Sequence, residues 1–394
     1  MRTPSSLTVP VSGAPIAAEI ATSDTRRPPR NLGNFLKAPP SRKRALSCRE
    51  SWEYPTLARR LRKRSIASLP TPISQHEVIL DAGARLITVK HDDQTSSIYG
   101  GNKIRKLEYI LRRATDRGAR RVATFGAVGS NHALATAIHA KELGLGCTCF
   151  LAHQARNPNI PKTLNMLLQL GAEIVKWGGS VDRLALYRRY LQGRKTWVIP
   201  LGGTCWLGAV GFVNAGLELA AQIESGELDI PDRIYIANGT MGSVAGLAIG
   251  LGIADLPTEI HAVRVADNRF VNREVLERLM TKTATILNRL DPSIGIDPTP
   301  QSRIVWRDEF YAGGYAAIDE ATTSAVHFAK ENLGLSLDTT YTGKAMAALL
   351  SDLETDRSDT SNLFWNTYNS QTVPSVNDTR LRRKLPEQFL RYYE

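Results

Sequence analysis

Cysteine is scarce: Cys48, Cys147, Cys149 and Cys205 are the only four in 394 residues. That is too few for a disulfide scaffold. Cys147-Thr148-Cys149 has one intervening residue, whereas a redox or zinc pair needs two. Buried thiols in a reducing cytoplasm are the expected state. No group of His, Cys, Asp and Glu has metal-ligand spacing, so no metal is expected, and no Gly-x-Ser-x-Gly elbow occurs. No apolar run approaches the roughly 18 residues that cross a bilayer. A soluble protein without a membrane partner follows as the expectation. Internal repeats are absent too.

Acidic residues are outnumbered, 38 against 50 Lys+Arg, for a formal net charge of +12. The excess sits at the ends. Residues 1–68 hold 14 Lys+Arg against 4 Asp+Glu, and residues 373–394 hold 5 against 3, which leaves 69–372 neutral. A basic body would suggest nucleic-acid binding. Here only the N-terminal arm could bind it, and the neutral core suits a small-molecule protein. Residues 1–65 are rich in Pro, Ser and Arg and read as a mostly disordered extension, ending in a short basic helix. The same composition fits an organelle transit peptide, which would make the protein mitochondrial. A plain extension on a cytoplasmic protein is the preferred reading.

From Leu69-Pro70-Thr71-Pro72 onward, strands and helices alternate. Strands are expected at Arg85–Lys90, Arg121–Phe125, Cys147–Ala152, Glu173–Lys176, Arg233–Ala237, Glu259–Arg264 and Asn362–Trp365. Helices are expected at Lys103–Arg117, Asn131–Leu143, Pro161–Leu170, Ala209–Ile223, Val244–Ile253, Asp319–Asn332 and Gly343–Leu353. Short apolar strands between helices of 10–15 residues imply an α/β fold with parallel sheets covered on both faces. Ligands of such sheets bind beyond the carboxyl ends of the strands, where this chain's glycine-rich turns fall.

The most informative turn is Tyr99-Gly100-Gly101-Asn102-Lys103-Ile104-Arg105-Lys106. It delivers Lys103 to the first position of an amphipathic helix. The helix dipole prefers anions there, so the ammonium is disfavoured, as an amine that attacks a carbonyl requires. Lys106, three residues on, lies on the same face and can act as a fixed cation. Gly239-Thr240-Met241-Gly242-Ser243 joins a strand to a helix and meets the physical criteria for a phosphate cradle. It lacks the P-loop ending and the dinucleotide spacing, and a tight connection is the plainer alternative. Gly129-Ser130-Asn131-His132 is placed the same way. Ser130 can be an ordinary N-cap, or its hydroxyl, the loop amides and Asn131 can hold a carboxylate. Gly202-Gly203-Thr204 and Tyr341-Thr342-Gly343-Lys344 complete the set. Together these turns suit a phosphorylated aldehyde cofactor joined to a lysine.

With these residues in place, the chain resembles the pyridoxal-phosphate enzymes that include D-cysteine desulfhydrase and 1-aminocyclopropane-1-carboxylate deaminase. The resemblance runs from Leu69 to Trp365 through Lys90-His91-Asp92-Asp93, the lysine turn, Gly129–His132, Gly239–Ser243 and Tyr341–Met346. It implies the two-domain fold of the tryptophan synthase β subunit (fold type II) and a homodimer. The large cofactor domain would span 66–105 and 205–372, the small domain 106–204, with a basic tail at 373–394. It implies that Lys103 bonds the aldehyde of pyridoxal 5′-phosphate, and that Asn131 meets the ring hydroxyl. Lys106 and the amides of Gly239, Thr240, Gly242 and Ser243 would hold the phosphate. Ser130, Asn131 and His132 would take the carboxylate of a small amino-acid substrate, and Tyr341 and Tyr315 would flank the reacting atoms.

Within that family the deaminase has Gln where this chain has His132, and Glu where it has Thr342; the desulfhydrase matches both residues. A carboxylate keeps the pyridine nitrogen protonated, whereas the Thr342 hydroxyl leaves a shallower electron sink. That favours α,β-elimination over ring opening. A D-amino acid such as D-cysteine would give pyruvate, ammonia and sulfide, with Lys103 as the base whose pKa burial and a neighbouring cation lower. Ring-opening deamination, a sulfo-lyase and a racemase are the same-fold alternatives. An inactive cofactor-binding protein with a nucleic-acid- or partner-binding arm is the distant one. Tyr368 stands where relatives have glycine, and Thr339-Thr340 where Pro-Val is usual.

Overall fold

The computed structural model describes residues 55–178, 185, 187–193, 195–297, 303–355, 360–371 and 378–394. All of them belong to one compact unit. Residues 1–54, the bulk of the expected extension, lie outside the described residues.

Two sheets organise the chain. The first has six strands in the order β1-β2-β10-β7-β8-β9: β1 Ile73–Leu80, β2 Gly83–Lys90, β7 Arg233–Asn238, β8 Glu259–Arg264, β9 Ile304–Arg307 and β10 Asn362–Trp365. The β1–β2 pair is antiparallel, and β2, β10, β7, β8 and β9 run parallel, with Val89 opposite Phe364 and Phe364 opposite Tyr235. The second sheet is parallel throughout, in the order β5-β4-β3-β6: β3 Arg121–Ala127, β4 Gly146–Ala152, β5 Glu173–Lys176 and β6 Thr196–Ile199.

Alternation along each strand puts successive side chains on opposite faces. In the first sheet Ile234, Ile236, Ile260 and Leu363 join one core, and Tyr235, Val263, Val89 and Phe364 another. Helices α5 (Trp206–Glu224), α6 (Gly242–Ile253) and α7 (Arg273–Leu290) cover the former; α8 (Glu320–Leu333) and α9 (Thr342–Thr355) cover the latter. In the second sheet Val122, Cys149 and Ile174 pack under α2 (Lys103–Asp116), α3 (Asn131–Glu142) and α4 (Ile160–Gln169). Ala123, Phe125, Phe150 and Trp177 form a small aromatic cluster on its other face.

The expected elements are all present with small shifts at their ends. Strands β1, β6 and β9 and helix α7 were not anticipated. Both termini add to the cores. Helix α1 (Pro55–Arg60), at the end of the arm where a short basic helix was expected, buries Leu57 in the main core, and Leu61 just beyond it is buried too. In the basic C-terminal segment, Leu385, Phe389 and Tyr392 are buried in the core of the second sheet. One reading of the apolar runs also changes. Helix α5 is long and apolar enough by length and composition to cross a membrane, yet 83% of that stretch is buried. It is apolar because it is wrapped by protein on nearly every side.

Glycines bring α5 against both functional helices. A Cβ at Gly211 would sit 2.2 Å from the Arg105 carbonyl of α2, and one at Gly246 of α6 would sit 2.2 Å from the Ala209 carbonyl. The N-termini of α2 and α6 therefore share one scaffold.

Candidate active site

Lys103 opens α2, after the turn in which Gly101 adopts φ 98°. That turn presses against the end of β10, since a Cβ on Gly101 would lie 3.0 Å from the Thr367 carbonyl. Lys103 Nζ donates to Asn102 Oδ1 at 2.7 Å and stands 5.9 Å from the centre of the Tyr341 ring. Burial lowers its pKa to about 8, against an opposing pull from the Asp338 carboxylate. Burial, one of the two expected causes, is thus the main one, and the repulsion between Lys103 and Lys106 belongs to the pair. Burial first, and then the charge of Lys103, hold Lys106 well below the ordinary lysine range.

The expected phosphate turn lies against these lysines. It joins β7 to α6, with Met241 in the left-handed conformation at φ 65°. Asn102 Nδ2 donates to Ser243 Oγ at 3.0 Å, tying the lysine turn to the cradle. A Cβ at Gly242 would lie 3.0 Å from Lys106 Nζ, and one at Gly239 3.1 Å from the Tyr341 ring. The Gly202-Gly203-Thr204 loop joins them, with Thr204 Oγ1 donating to Thr240 Oγ1 at 2.7 Å. A bare backbone, two hydroxyls, a helix N-terminus and a lysine converge there. Among the described residues Lys106 has no carboxylate partner, only the Gly202 carbonyl at 3.4 Å. A buried ammonium lacking an anion beside a helix N-terminus fits a phosphate group.

The third turn supplies α3. Ser130 caps the helix by accepting from the Ala133 amide at 3.2 Å. Asn131 Nδ2 donates to Asp338 Oδ2 at 3.0 Å. His132 turns inward, its Nε2 2.9 Å from Thr124 Oγ1. Burial, with Lys103 and Lys106 nearby, keeps it well below the usual imidazole range.

Tyr341 and Tyr315, distant in sequence, meet at 2.7 Å between hydroxyls with rings edge to face. Burial raises both hydroxyls, Tyr315 to about 12 and Tyr341 well above its ordinary value. Both stay protonated near neutrality and can donate. Thr342 opens α9, and its Oγ1 accepts from the Asp338 amide at 2.9 Å.

Sequence reasoning missed Asp338. Its Oδ1 accepts from the Tyr341 amide at 2.7 Å and the Thr342 amide at 3.0 Å, and its Oδ2 takes the Asn131 amide. One half-buried carboxylate thus ties the carboxylate loop to the tyrosine helix and sets part of the field at Lys103. The available signal was an acidic residue in the polar turn four positions before the helix start, where a cap can sit. The Thr342 hydroxyl lies 3.4 Å from Asp338 Oδ1, so it is less isolated from negative charge than the sequence suggested. A cavity of about 210 Å³, bordered by Asn131, Tyr341, Asp338 and Tyr368, opens on this group.

A half-buried lysine of lowered pKa, facing a phosphate cradle on a two-sheet α/β scaffold, defines an enzyme that holds a phosphorylated carbonyl cofactor on lysine. The chain belongs to the family of pyridoxal-phosphate-dependent enzymes, whose sequence model matches residues 65–362. Its cofactor is pyridoxal 5′-phosphate. It is 34% identical over 293 residues to D-cysteine desulfhydrase of Yersinia enterocolitica, covering 72% of this chain and 86% of that protein. It is 32% identical over 308 residues to D-cysteine desulfhydrase of Klebsiella pneumoniae, covering 76% and 90%. Among solved structures it resembles a homologue of 1-aminocyclopropane-1-carboxylate deaminase with a TM-score of 0.65 and 26% identity, over 84% of this chain and 98% of the other.

Proposed function

We propose that this pyridoxal-phosphate-dependent lyase eliminates the β-substituent of a small D-amino acid, with D-cysteine as the representative substrate, giving pyruvate, ammonia and sulfide. The reading is carried by Lys103, a half-buried amine with its pKa brought to about 8, placed beside the Gly239–Ser243 cradle. Lys106 and the cradle amides would hold the cofactor phosphate, Asn131 its ring hydroxyl, and Thr342 its ring nitrogen. When bound, the cofactor draws electrons from the substrate's α-carbon and so acidifies the α C–H bond. Lys103, as the free amine, takes that proton; half-neutral near pH 8, it can both accept and return one. The Ser130–Asn131 loop orients the substrate carboxylate. Tyr341, protonated and held by Tyr315, stands ready to donate to the departing sulfur. Loss of sulfide from Cβ leaves an enamine, which water converts to pyruvate and ammonia.

Asp338 behind Thr342 supports one competitor, opening of 1-aminocyclopropane-1-carboxylate, because a nearby anion favours a protonated ring nitrogen. Pyruvate release from a panel of D- and L-amino acids and that cyclopropane separates the two. The expected result is turnover of D-cysteine and a visible absorption band that vanishes in Lys103→Ala. Protein that stays colourless with added cofactor rejects the proposal, and preference for the cyclopropane rejects the elimination. We also propose a cytoplasmic homodimer, in keeping with three free cysteines among the described residues. The two sheets support a large domain at 66–105 and 205–372 and a small one at 106–204.

A further inference from the structure

The C-terminal segment, beyond the stretch that the family model matches, packs behind Gln154, a residue that lines the same cavity. Residues Glu387–Tyr392 form a short 3-10 helix whose Phe389 and Tyr392 are buried in the core of the second sheet. The Tyr392 hydroxyl accepts from the backbone N–H of Gln154 at 3.2 Å, donates to the backbone carbonyl of Gln154 at 3.1 Å, and lies 3.0 Å from His153 Nδ1. Two neighbouring contacts fasten the same wall. Arg156 donates to the Arg391 carbonyl at 2.9 Å, and the Tyr393 hydroxyl donates to Asn165 Oδ1 at 2.7 Å.

Gln154 itself borders the cavity, beside Gly129 and Asn131. Its Oε1 accepts from the Gly129 amide at 3.2 Å, which fixes the orientation of the side-chain amide. A Cβ on Gly129 would lie 3.1 Å from Gln154 Nε2, so a larger residue there would push the glutamine side chain aside. Nε2 then carries two N–H donors with no protein acceptor among the described residues. Two oriented donors at the mouth of the Gly129–Asn131 loop are what a substrate carboxylate would engage.

We propose that Gln154 binds the substrate carboxylate and that Tyr392 is its positioning residue, so the last residues of the chain set substrate affinity. This rests on reading the Gly129–Asn131 loop as the carboxylate site. Neither residue touches Lys103 or the cradle, so the contribution falls on binding rather than on proton transfer.

The test uses the full-length holoenzyme and D-cysteine, with Gln154→Ala, Gln154→Glu, Tyr392→Phe and the double variant Gln154→Ala/Tyr392→Phe. Gln154→Ala should raise KM about tenfold, the equivalent of ~1.4 kcal/mol, with kcat within about twofold. Gln154→Glu should raise KM further, since it opposes one carboxylate with another. Tyr392→Phe should raise KM about fivefold, and the double variant should be no worse than Gln154→Ala alone, because the tyrosine acts through the glutamine. An unchanged KM in Gln154→Ala, or effects that multiply in the double variant, would overturn the proposal. Should the parent show neither a cofactor band nor turnover, the functional reading has failed. Amide hydrogen exchange then still decides the positioning step: residues 153–166 should exchange faster in Tyr392→Phe, and unchanged exchange rejects it.

Discussion

At the scale of single residues, chemistry at this site turns on how burial and one carboxylate share control of Lys103. Its pKa of about 8 lies below that of a solvated lysine because the ammonium is desolvated. The free-amine fraction therefore grows with pH. Capture of pyridoxal 5′-phosphate by the apoprotein should accelerate about tenfold between about pH 7 and 9 and level off above. Stopped-flow absorbance checks this, and a flat profile would show that the amine is already free at neutrality. Asp338 pulls the same pKa upward, so Asp338→Asn should move the midpoint of that profile to lower pH. The same change sets two amide groups face to face at Asn131, so cofactor affinity should fall as well. Lys103, Lys106, Asn131, Thr342 and the cradle glycines all converge, because turn chemistry is local. Asp338 escaped notice because its partners at Asn131 and Lys103 are more than 200 residues away in sequence. The orientation of His132 toward Thr124 was equally out of reach, since a helix position does not say which neighbour a ring meets.

At the scale of elements, helix α2 is anchored by a buried ion cluster that faces away from the cradle. Arg105 donates to Asp92 Oδ1 at 2.7 Å and to Glu218 Oε2 at 2.9 Å, and Lys90 donates to Glu218 Oε1 at 2.6 Å and to Gln222. Burial raises the pKa of Glu218, but Arg105 and Lys90 outweigh it and hold the carboxyl well below the usual range. Glu218→Ala should cost about 3–5 kcal/mol in urea unfolding, since it strands two buried cations. The sign of the pH dependence follows. Stability from this carboxylate is fully present above the unfolded value of about 4.5 and is lost as acid protonates it in the fold. The parent should therefore lose stability on acidification in a way Glu218→Gln does not. Helix α7 shows what was legible but unread. Asn272 caps it by accepting from Val275, and Leu276, Met280, Ala284 and Leu287 recur at helical spacing. Strands β6 and β9 had weaker signals, because four residues at a sheet edge show no period of their own.

At the scale of the molecule, the site draws on turns of both sheets. Every residue assigned to it lies between Tyr99 and Tyr392, so removal of residues 1–54 should leave turnover of D-cysteine within about twofold of the parent. Loss of turnover on that deletion would give the N-terminal segment a part in catalysis. Light scattering should report twice the mass of one chain, and a monomeric result would reject the homodimer. The sequence by itself determined the alternating α/β architecture, the four glycine-rich turns and the lysine that opens a helix. Those features are written in periodicity and turn chemistry, which act over a few residues. Only the tertiary structure decided how far burial lowers the Lys103 pKa, that Asp338 stands behind Thr342, and that the C-terminal residues brace Gln154. Each depends on contacts between distant segments, and desolvation and long-range hydrogen bonds exist only once those segments have packed.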